Sequence, residues 1–341
     1  MKKKVLITGS SGFIGSFLVE EAVRRGYEVW AGVRASSSLE RLPTEKIHRI
    51  DLKYHDQEAL TEQLADQVRQ YGAWDYVVHN AGLTKTNHKP DFFLVNAEYT
   101  RRLLVALSKS GCQPEKFLLM SSLSTYSAGN KQTLNPIRTD APQKPDTIYG
   151  KSKLLAEQYV REQDFFPYVI LRPTGVYGPG DKDYGLAIES IRSGFDFTAG
   201  MKPQYITFIY VKDLAEVTFQ ALEKESVRNR EYFVADGDVY TDTQFARIIQ
   251  DILQKKRVFR ARIPIWLVCI ACFCSEWTGR LSGKAKTLNT DKYKILKQRN
   301  WICDTEPLYK ELGFKPAYNL RRGLEETIQQ KAPSNSPKGG G

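Results

Sequence analysis

The stretch Lys4-Val5-Leu6-Ile7-Thr8-Gly9-Ser10-Ser11-Gly12-Phe13-Ile14-Gly15 constrains this chain more than any other. It joins a short apolar run to three glycines at three-residue spacing and then to an amphipathic segment. That order predicts strand, loop, helix. Gly9 permits a tight turn off the strand, Gly12 lets main-chain N–H groups approach a pyrophosphate, and Gly15 lets the helix pack closely. The helix N-terminus then faces the anion, with Ser11, Phe13 and Ile14 completing the loop around it. Glycine triplets alone are common in loops, but here the context is present. The upstream run is β-like, and Phe13, Ile14, Phe17, Leu18, Ala22 and Val23 recur at helical spacing until Gly26. The reading is a dinucleotide site.

The following segments alternate in the same way. Residues 27 to 33 read as a second strand that ends at Arg34-Ala35-Ser36-Ser37-Ser38. An acidic residue there would hold the ribose 2′-hydroxyl of NAD, whereas Arg34 with neighbouring hydroxyls suits the 2′-phosphate of NADP. A third strand closes on Asp51-Leu52, where Asp51 is placed to bind an adenine edge or to cap a helix. The fourth strand, ending at His79, leads into Asn80-Ala81-Gly82-Leu83-Thr84, whose small residues let the chain pass under a cofactor. His79 itself reads as a core histidine. A helix over residues 92 to 110 carries Asn96, and the fifth strand delivers Ser121-Ser122-Leu123-Ser124-Thr125-Tyr126. Unbroken alternation of strand and helix predicts an α/β fold, a doubly wound Rossmann-type parallel sheet. Residues 1 to 178 form the dinucleotide-binding part. Residues 179 to 330 mainly form a smaller substrate lobe, with segments near 205 to 240 returning to the first part.

At 341 residues and 41% hydrophobic content, the chain can bury a large core. Its Pro-, Ser- and Gly-biased tail, 331 to 341, reads as disordered. The run of lysines at the start is followed by too few apolar residues for an export signal, and five sparse cysteines fit free thiols in a reducing cytoplasm. Cys269, Cys272 and Cys274 lie in an apolar stretch without further ligands, so they read as buried thiols rather than a metal site. The net charge of +11 reads as spread along the chain, with no nucleic-acid module, and points to an anionic small molecule.

Tyr149 and Lys153 are four apart on one predicted helix and share a face. A phenol titrates near ~10, and a fixed ammonium beside it favours the phenolate. Tyrosine then exchanges a proton with a substrate oxygen, lysine holds a ribose, and a strand-five serine hydrogen-bonds the same oxygen. Tyr293 and Lys297 repeat the spacing but follow no Ser-rich strand end, which makes them a decoy.

Thr8-Gly9-Ser10-Ser11-Gly12-Phe13-Ile14-Gly15, Asp51-Leu52, Asn80-Ala81-Gly82, Ser121-Ser122, Tyr149-Gly150-Lys151-Ser152-Lys153 and Leu171-Arg172-Pro173-Thr174-Gly175-Val176-Tyr177-Gly178-Pro179 occur in a familiar order. Together they resemble the extended short-chain dehydrogenase/reductase family, which comprises NAD(P)-dependent epimerases, dehydratases, dihydroflavonol reductases and 3β-hydroxysteroid dehydrogenases. The resemblance implies Ser122, Tyr149 and Lys153 as catalytic residues. Ser124 competes with Ser122, which is preferred by its place relative to Tyr126. It implies Pro173, Thr174 and Val176 against the nicotinamide, Thr84 with Ser122 and Tyr149 against substrate, and a homodimer. The chain departs from the family at Tyr99, where a glycine is usual, so helix packing there must differ.

Residues 262 to 273 are the most apolar stretch, too short to span a bilayer. They predict a buried or substrate-lining helix, with membrane-surface contact as the alternative. Asp213 reads as a helix cap. These features imply an NADP-dependent oxidoreductase interconverting an alcohol and a ketone on a medium-sized apolar substrate. The competing function is an NAD-dependent nucleotide-sugar epimerase or dehydratase, with Lys182, Arg192 and Lys202 available to a diphosphate.

Overall fold

The computed structural model describes residues 2–281 and 288–331; the expected tail therefore lies outside the described residues, save for Lys331. Strands β1 (Lys4–Thr8), β2 (Glu28–Gly32), β3 (Ile47–Ile50), β4 (Tyr76–His79), β5 (Lys116–Met120) and β6 (Tyr168–Pro173) alternate with helices. These are α1 (Phe13–Arg24), α2 (Gln57–Tyr71), α3 (Pro90–Phe93), α4 (Tyr99–Lys109) and α5 (Ile148–Glu162). The chain then makes β7 (Gly175–Tyr177), α6 (Asp183–Arg192), β8 (Phe195–Ala199), β9 (Tyr205–Ile206), β10 (Phe208–Tyr210) and α7 (Val211–Glu223) before β11 (Arg230–Val234). Strand β11 returns to pair with β6, giving a seven-stranded sheet of order β11-β6-β5-β4-β1-β2-β3. Every pair in it is parallel.

Strand periodicity explains how both faces are covered. Val5 and Ile7 point into one core with α1 and α7, while Leu6 between them points into the other with residues of α2, α4 and α5. The chain winds outward from β1 to β3 and then crosses to β4 on the far side of β1. The crevice beyond the carboxyl ends of β1 and β4 is the switch point where such sheets bind ligands.

The remaining elements are β12 (Tyr240–Thr241), α8 (Asp242–Ile252), β13 (Phe259–Ile263), α9 (Ile265–Leu281), α10 (Thr290–Leu296), β14 (Asn300–Trp301), α11 (Glu306–Leu312) and α12 (Leu320–Lys331). Of these, β12, α8 and α12 pack with α6 around Tyr177, Phe208, Phe245 and Leu324, while Leu308 and Leu312 of α11 join the core on the α1 and α7 side of the sheet. Three expectations are corrected here. Asp213 lies inside α7 rather than capping it, and its carboxylate accepts from the N–H groups of Ala317 and Tyr318 at 3.0 and 2.9 Å. Cys272 is buried, but Cys269 is half-buried and Cys274 exposed. The apolar helix α9 turns much of its surface to solvent, because only one side of it has α10 to pack against.

Candidate active site

The phosphate loop is built by close main-chain contact. Gly9 has φ +68°, and a Cβ there would meet Ala81 at 2.9 Å; a Cβ on Gly15 would meet the Gly9 carbonyl oxygen at 2.0 Å. Glycine at these two positions thus locks β1, α1 and the loop after β4 together. Gly12 is exposed at the N-cap of α1, which has no side-chain cap, so the first-turn N–H groups at Phe13 and Ile14 are left for an anion. This cradle fits a dinucleotide pyrophosphate.

At the end of β2, Arg34 is exposed and its guanidinium makes no hydrogen bond or ion pair among the described residues. Its main-chain N–H donates to Ser37 Oγ at 3.2 Å, and Ser36 and Ser38 are exposed beside it. Asp51 neither caps a helix nor pairs with Arg34. Its Oδ2 accepts from the Ala35 N–H at 3.0 Å, and Asp56 caps α2 instead. Leu52 is in the core against Leu60 and Leu64, so its side chain contributes packing rather than a ligand contact.

His79 is fully buried and satisfied. Thr8 Oγ1 lies 2.9 Å from Nδ1 and Thr100 Oγ1 3.0 Å from Nε2. Thr100 donates to the Asn96 carbonyl and Thr8 accepts from the Ala81 N–H, which assigns the ring proton to Nε2. Burial, reinforced by the nearby Lys153 charge, pushes this imidazole down to about 3, so it stays neutral. Its work is to fix Asn80-Ala81-Gly82 beneath the crevice.

Tyr149 and Lys153 project from the first two turns of α5. Thr147 caps that helix by accepting from the Gly150 N–H at 2.9 Å, and Asp291 of α10 accepts from the Ile148 N–H at 2.9 Å. Gly150 is obligatory, since a Cβ would lie 2.0 Å from the Ser124 carbonyl oxygen. Burial raises the Tyr149 phenol, and the neighbouring Ser122 hydroxyl opposes that rise. The ammonium expected to favour the phenolate does not dominate. Lys153 Nζ donates instead to the Met120 carbonyl at 2.8 Å, and burial pulls it down to about 8 despite Glu157.

A cavity of about 240 Å³ opens beside Tyr149, between the loop after β4 and the edge of α9 and α10. Thr84, Ser124, Thr147, Asn289 and Thr290 line it with hydroxyls and an amide, and Lys85, Asp183, Glu276 and Asp291 with charges. Phe92, whose ring meets Tyr149 edge-on at 6.1 Å, and Ile295 are its apolar members. Asp183 holds Lys85 at 2.5 Å and Lys292 at 3.6 Å, joining the β4 loop to α10. Lys182, Arg192 and Lys202 are not in the lining, and neither are Tyr293 and Lys297, which stack as a cation over a ring on α10. Pro173 is buried at the end of β6, the Thr174 N–H donates to Val234 O, and Val176 packs on the core, so this segment runs past the crevice anchored to β11.

Three groups escaped the sequence reading as site residues. Asn96 sits on one π-helical turn, Leu94–Glu98, and binds both main-chain groups of Leu83 (2.7 and 3.0 Å) and Ser152 Oγ (2.9 Å). A Cβ on Gly82 would meet Asn96 Oδ1 at 3.0 Å and Lys153 Nζ at 3.2 Å, so the three form one packed unit. Tyr99, the departure from the family pattern, follows that turn and stacks on Tyr54 at 4.9 Å. Buried Glu157 accepts from both Nε and Nη2 of buried Arg172 at 2.8 Å, and also from Arg161 and Ser121. The i, i+4 spacing of Glu157 and Arg161 was a readable signal; the Asn96 turn had none.

A parallel sheet wound both ways around a glycine cradle for pyrophosphate, with Tyr149, Lys153 and Ser122 at its rim, defines a nicotinamide-dinucleotide-binding enzyme. The chain belongs to the NAD dependent epimerase/dehydratase family, whose profile matches residues 5–235, and thereby to the extended short-chain dehydrogenase/reductases. It is 26% identical over 345 residues to an N-acetyl-alpha-D-glucosaminyl-diphospho-ditrans,octacis-undecaprenol 4-epimerase of Escherichia coli O157:H7, covering 96% of this chain and 95% of that one. It is 23% identical over 340 residues to a decarboxylating sterol-4-alpha-carboxylate 3-dehydrogenase of Dictyostelium discoideum, covering 95% and 99%. Its fold matches Thermus thermophilus UDP-glucose 4-epimerase in complex with NAD, with a TM-score of 0.74 at 21% identity over 97% of this chain and all of that one.

Proposed function

We propose that the protein is an NADP-dependent oxidoreductase that interconverts a secondary alcohol and a ketone at the polar end of a medium-sized, otherwise apolar substrate. The observation that carries this reading is the Tyr149 phenol at the wall of the polar cavity, which burial pushes above its ordinary value against the opposing effect of the neighbouring Ser122 hydroxyl. A protonated phenol is the acid that a ketone oxygen needs as it gains charge. Ser122 steadies the same oxygen by hydrogen bonding, and the Lys153 ammonium holds the cofactor ribose and stabilises the phenolate left behind. The bound nicotinamide supplies or accepts the hydride. Arg34, whose guanidinium has no partner among the described residues and which stands close to three serines, supports NADP through its 2′-phosphate.

The lining also bears on the substrate. Hydroxyls and paired charges suit a polar reacting end, whereas Lys182, Arg192 and Lys202 stand outside the cavity, and of the lysines that line it Lys85 and Lys292 pair with Asp183 and Lys89 faces Glu276 at 3.8 Å. The test follows nicotinamide absorbance with hydroxysteroids, polar-headed hydroxylipids and their ketones, and UDP-hexoses. Turnover of NADPH with a ketone of the first two types is expected. Stoichiometric tightly bound NAD, with epimerisation of a UDP-hexose and no net absorbance change, would overturn the reading in favour of the epimerase.

A further inference from the structure

We propose that α9 and the β8–β13 ribbon dock this protein on the surface of an anionic lipid bilayer. The ribbon is inside out. Its parallel register sets Phe195, Phe197, Phe259 and Ile263 on one face and Asp196, Arg260 and Arg262 on the other. A ribbon covered on one side ordinarily turns its apolar face inward. Here the charged face is the one turned to α8: Arg260, paired with Asp196 at 3.2 Å, reaches Gln250, and Arg262 pairs with Asp242 at 3.1 Å. The phenylalanines are 47, 57 and 62% exposed and their rings meet one another, with centroids 5.9 to 6.4 Å apart.

Pro264 carries β13 directly into α9, whose outer side continues the pattern. Trp266, Ile270, Phe273 and Trp277 are spaced four, three and four residues apart, on one helical stripe, and each is more than half exposed. Met201 is exposed at the same end, next to Gly200, whose N–H donates to the Ile263 carbonyl at 2.8 Å. The stripe is about 16 Å long, and no described helix is long and apolar enough to cross a membrane. An apolar stripe with a tryptophan at each end suits a helix lying in the interface plane.

Charge identifies the occupant. Residues 255 to 299 hold twelve lysines and arginines against Glu276 and Asp291, so ten of the eleven net positive charges fall in this one segment. That corrects the reading of the charge as spread along the chain. Lys255, Lys256 and Arg257 are exposed, form no ion pair among the described residues, and stand immediately before Phe259. A second copy on this face would bring two identical cationic rims together, whereas anionic headgroups neutralise them. The inner side of the same helix contributes Glu276 to the cavity, so a docked protein holds its substrate cavity one helix away from lipid.

The experiment is flotation of the full chain with phosphatidylcholine–phosphatidylglycerol vesicles and with phosphatidylcholine vesicles, read together with tryptophan emission and sedimentation velocity. Wild type is expected to float with the anionic vesicles and shift its emission to the blue. The triple variant Lys255→Gln, Lys256→Gln, Arg257→Gln removes three charges and should bind them about a hundredfold more weakly, at about fivefold per charge. Phe273→Ser with Trp277→Ser should lose the blue shift and most binding. All of these residues are exposed, so NADPH affinity and thermal midpoint should be unchanged. No flotation of wild type, equal binding by the triple variant, or a dimer that the serine variant dissociates without any vesicle binding would each overturn the proposal, whatever reaction the enzyme catalyses.

Discussion

Lys153 Nζ donates to the Met120 main-chain carbonyl at 2.8 Å, tying the helix that carries Tyr149 to the strand that ends beside Ser122. Burial lowers this ammonium to about 8 from an ordinary 10.5, so the folded state disfavours the charge that the unfolded chain keeps. The penalty is full below about pH 8 and is relieved as pH rises towards 10.5. Lys153→Met removes it and loses one hydrogen bond. The variant should be about 2 kcal/mol more stable than wild type near neutral pH, with the gain disappearing near pH 10, while turnover falls at least about a hundredfold. Urea unfolding of both proteins at the two pH values checks the stability, and a variant less stable at neutral pH would contradict the account.

The glycines of the phosphate loop should separate folding from binding. A Cβ on Gly15 would stand 2.0 Å from the Gly9 carbonyl oxygen, whereas on Gly12 the nearest contact is that oxygen at 3.2 Å. Gly15→Ala should cost about 3 kcal/mol or more and abolish cofactor binding. Gly12→Ala should fold near wild-type stability and bind NADPH at least about tenfold more weakly. Thermal unfolding with cofactor titration reads both, and equal thermal midpoints for the two variants would refute the distinction.

The glycine cradle and the parallel sheet were legible because they rest on local rules: glycine where Gly9 has positive φ, and period-two alternation in which Val5 and Ile7 take one face and Leu6 the other. Tyr149 and Lys153 were legible as an i, i+4 pair. The polarity that dominates around them was not, because burial sets the Lys153 and Tyr149 shifts and burial is a property of the folded chain. The Asn96 turn is π-helical, which no spacing in 92 to 110 signals. The orientation of α9 was equally hidden. A helix apolar nearly all round has no face that sequence alone can assign to core or exterior.

Cofactor choice rests on Arg34. A charge-assisted pair with the 2′-phosphate contributes about 1.5–3 kcal/mol, so NADP should bind about ten- to a hundredfold tighter than NAD. Arg34→Asp should reverse the order, since a carboxylate repels the phosphate and accepts from the free ribose hydroxyls. Dissociation constants for both cofactors at one ionic strength check this, and equal affinities in wild type would assign the cofactor as NAD.

Beneath the site, Glu157 is shared by Arg172, Arg161, Ser121 and Gln143. Arg172 is fully buried with Nη1 unpartnered among the described residues, and its ring neighbours Tyr126 and Phe233 offer only their faces. Glu157→Gln leaves that guanidinium with partly buried Glu231 as its one carboxylate among the described residues. The loss should be about 3–5 kcal/mol. Chemical denaturation measures it, and a cost below about 1 kcal/mol would mean that the network relaxes around the amide.

The most direct test of the account is Tyr149→Phe, which removes one oxygen from the cavity wall and leaves the phosphate loop, Arg34 and Lys153 in place. Steady-state turnover and NADPH affinity are measured on the same preparation. NADPH affinity is expected within about twofold of wild type, with ketone reduction lowered by about 10²–10⁴. Reduction retained at the wild-type rate would show that the proton comes from another group and would contradict the assignment of Tyr149 as the acid.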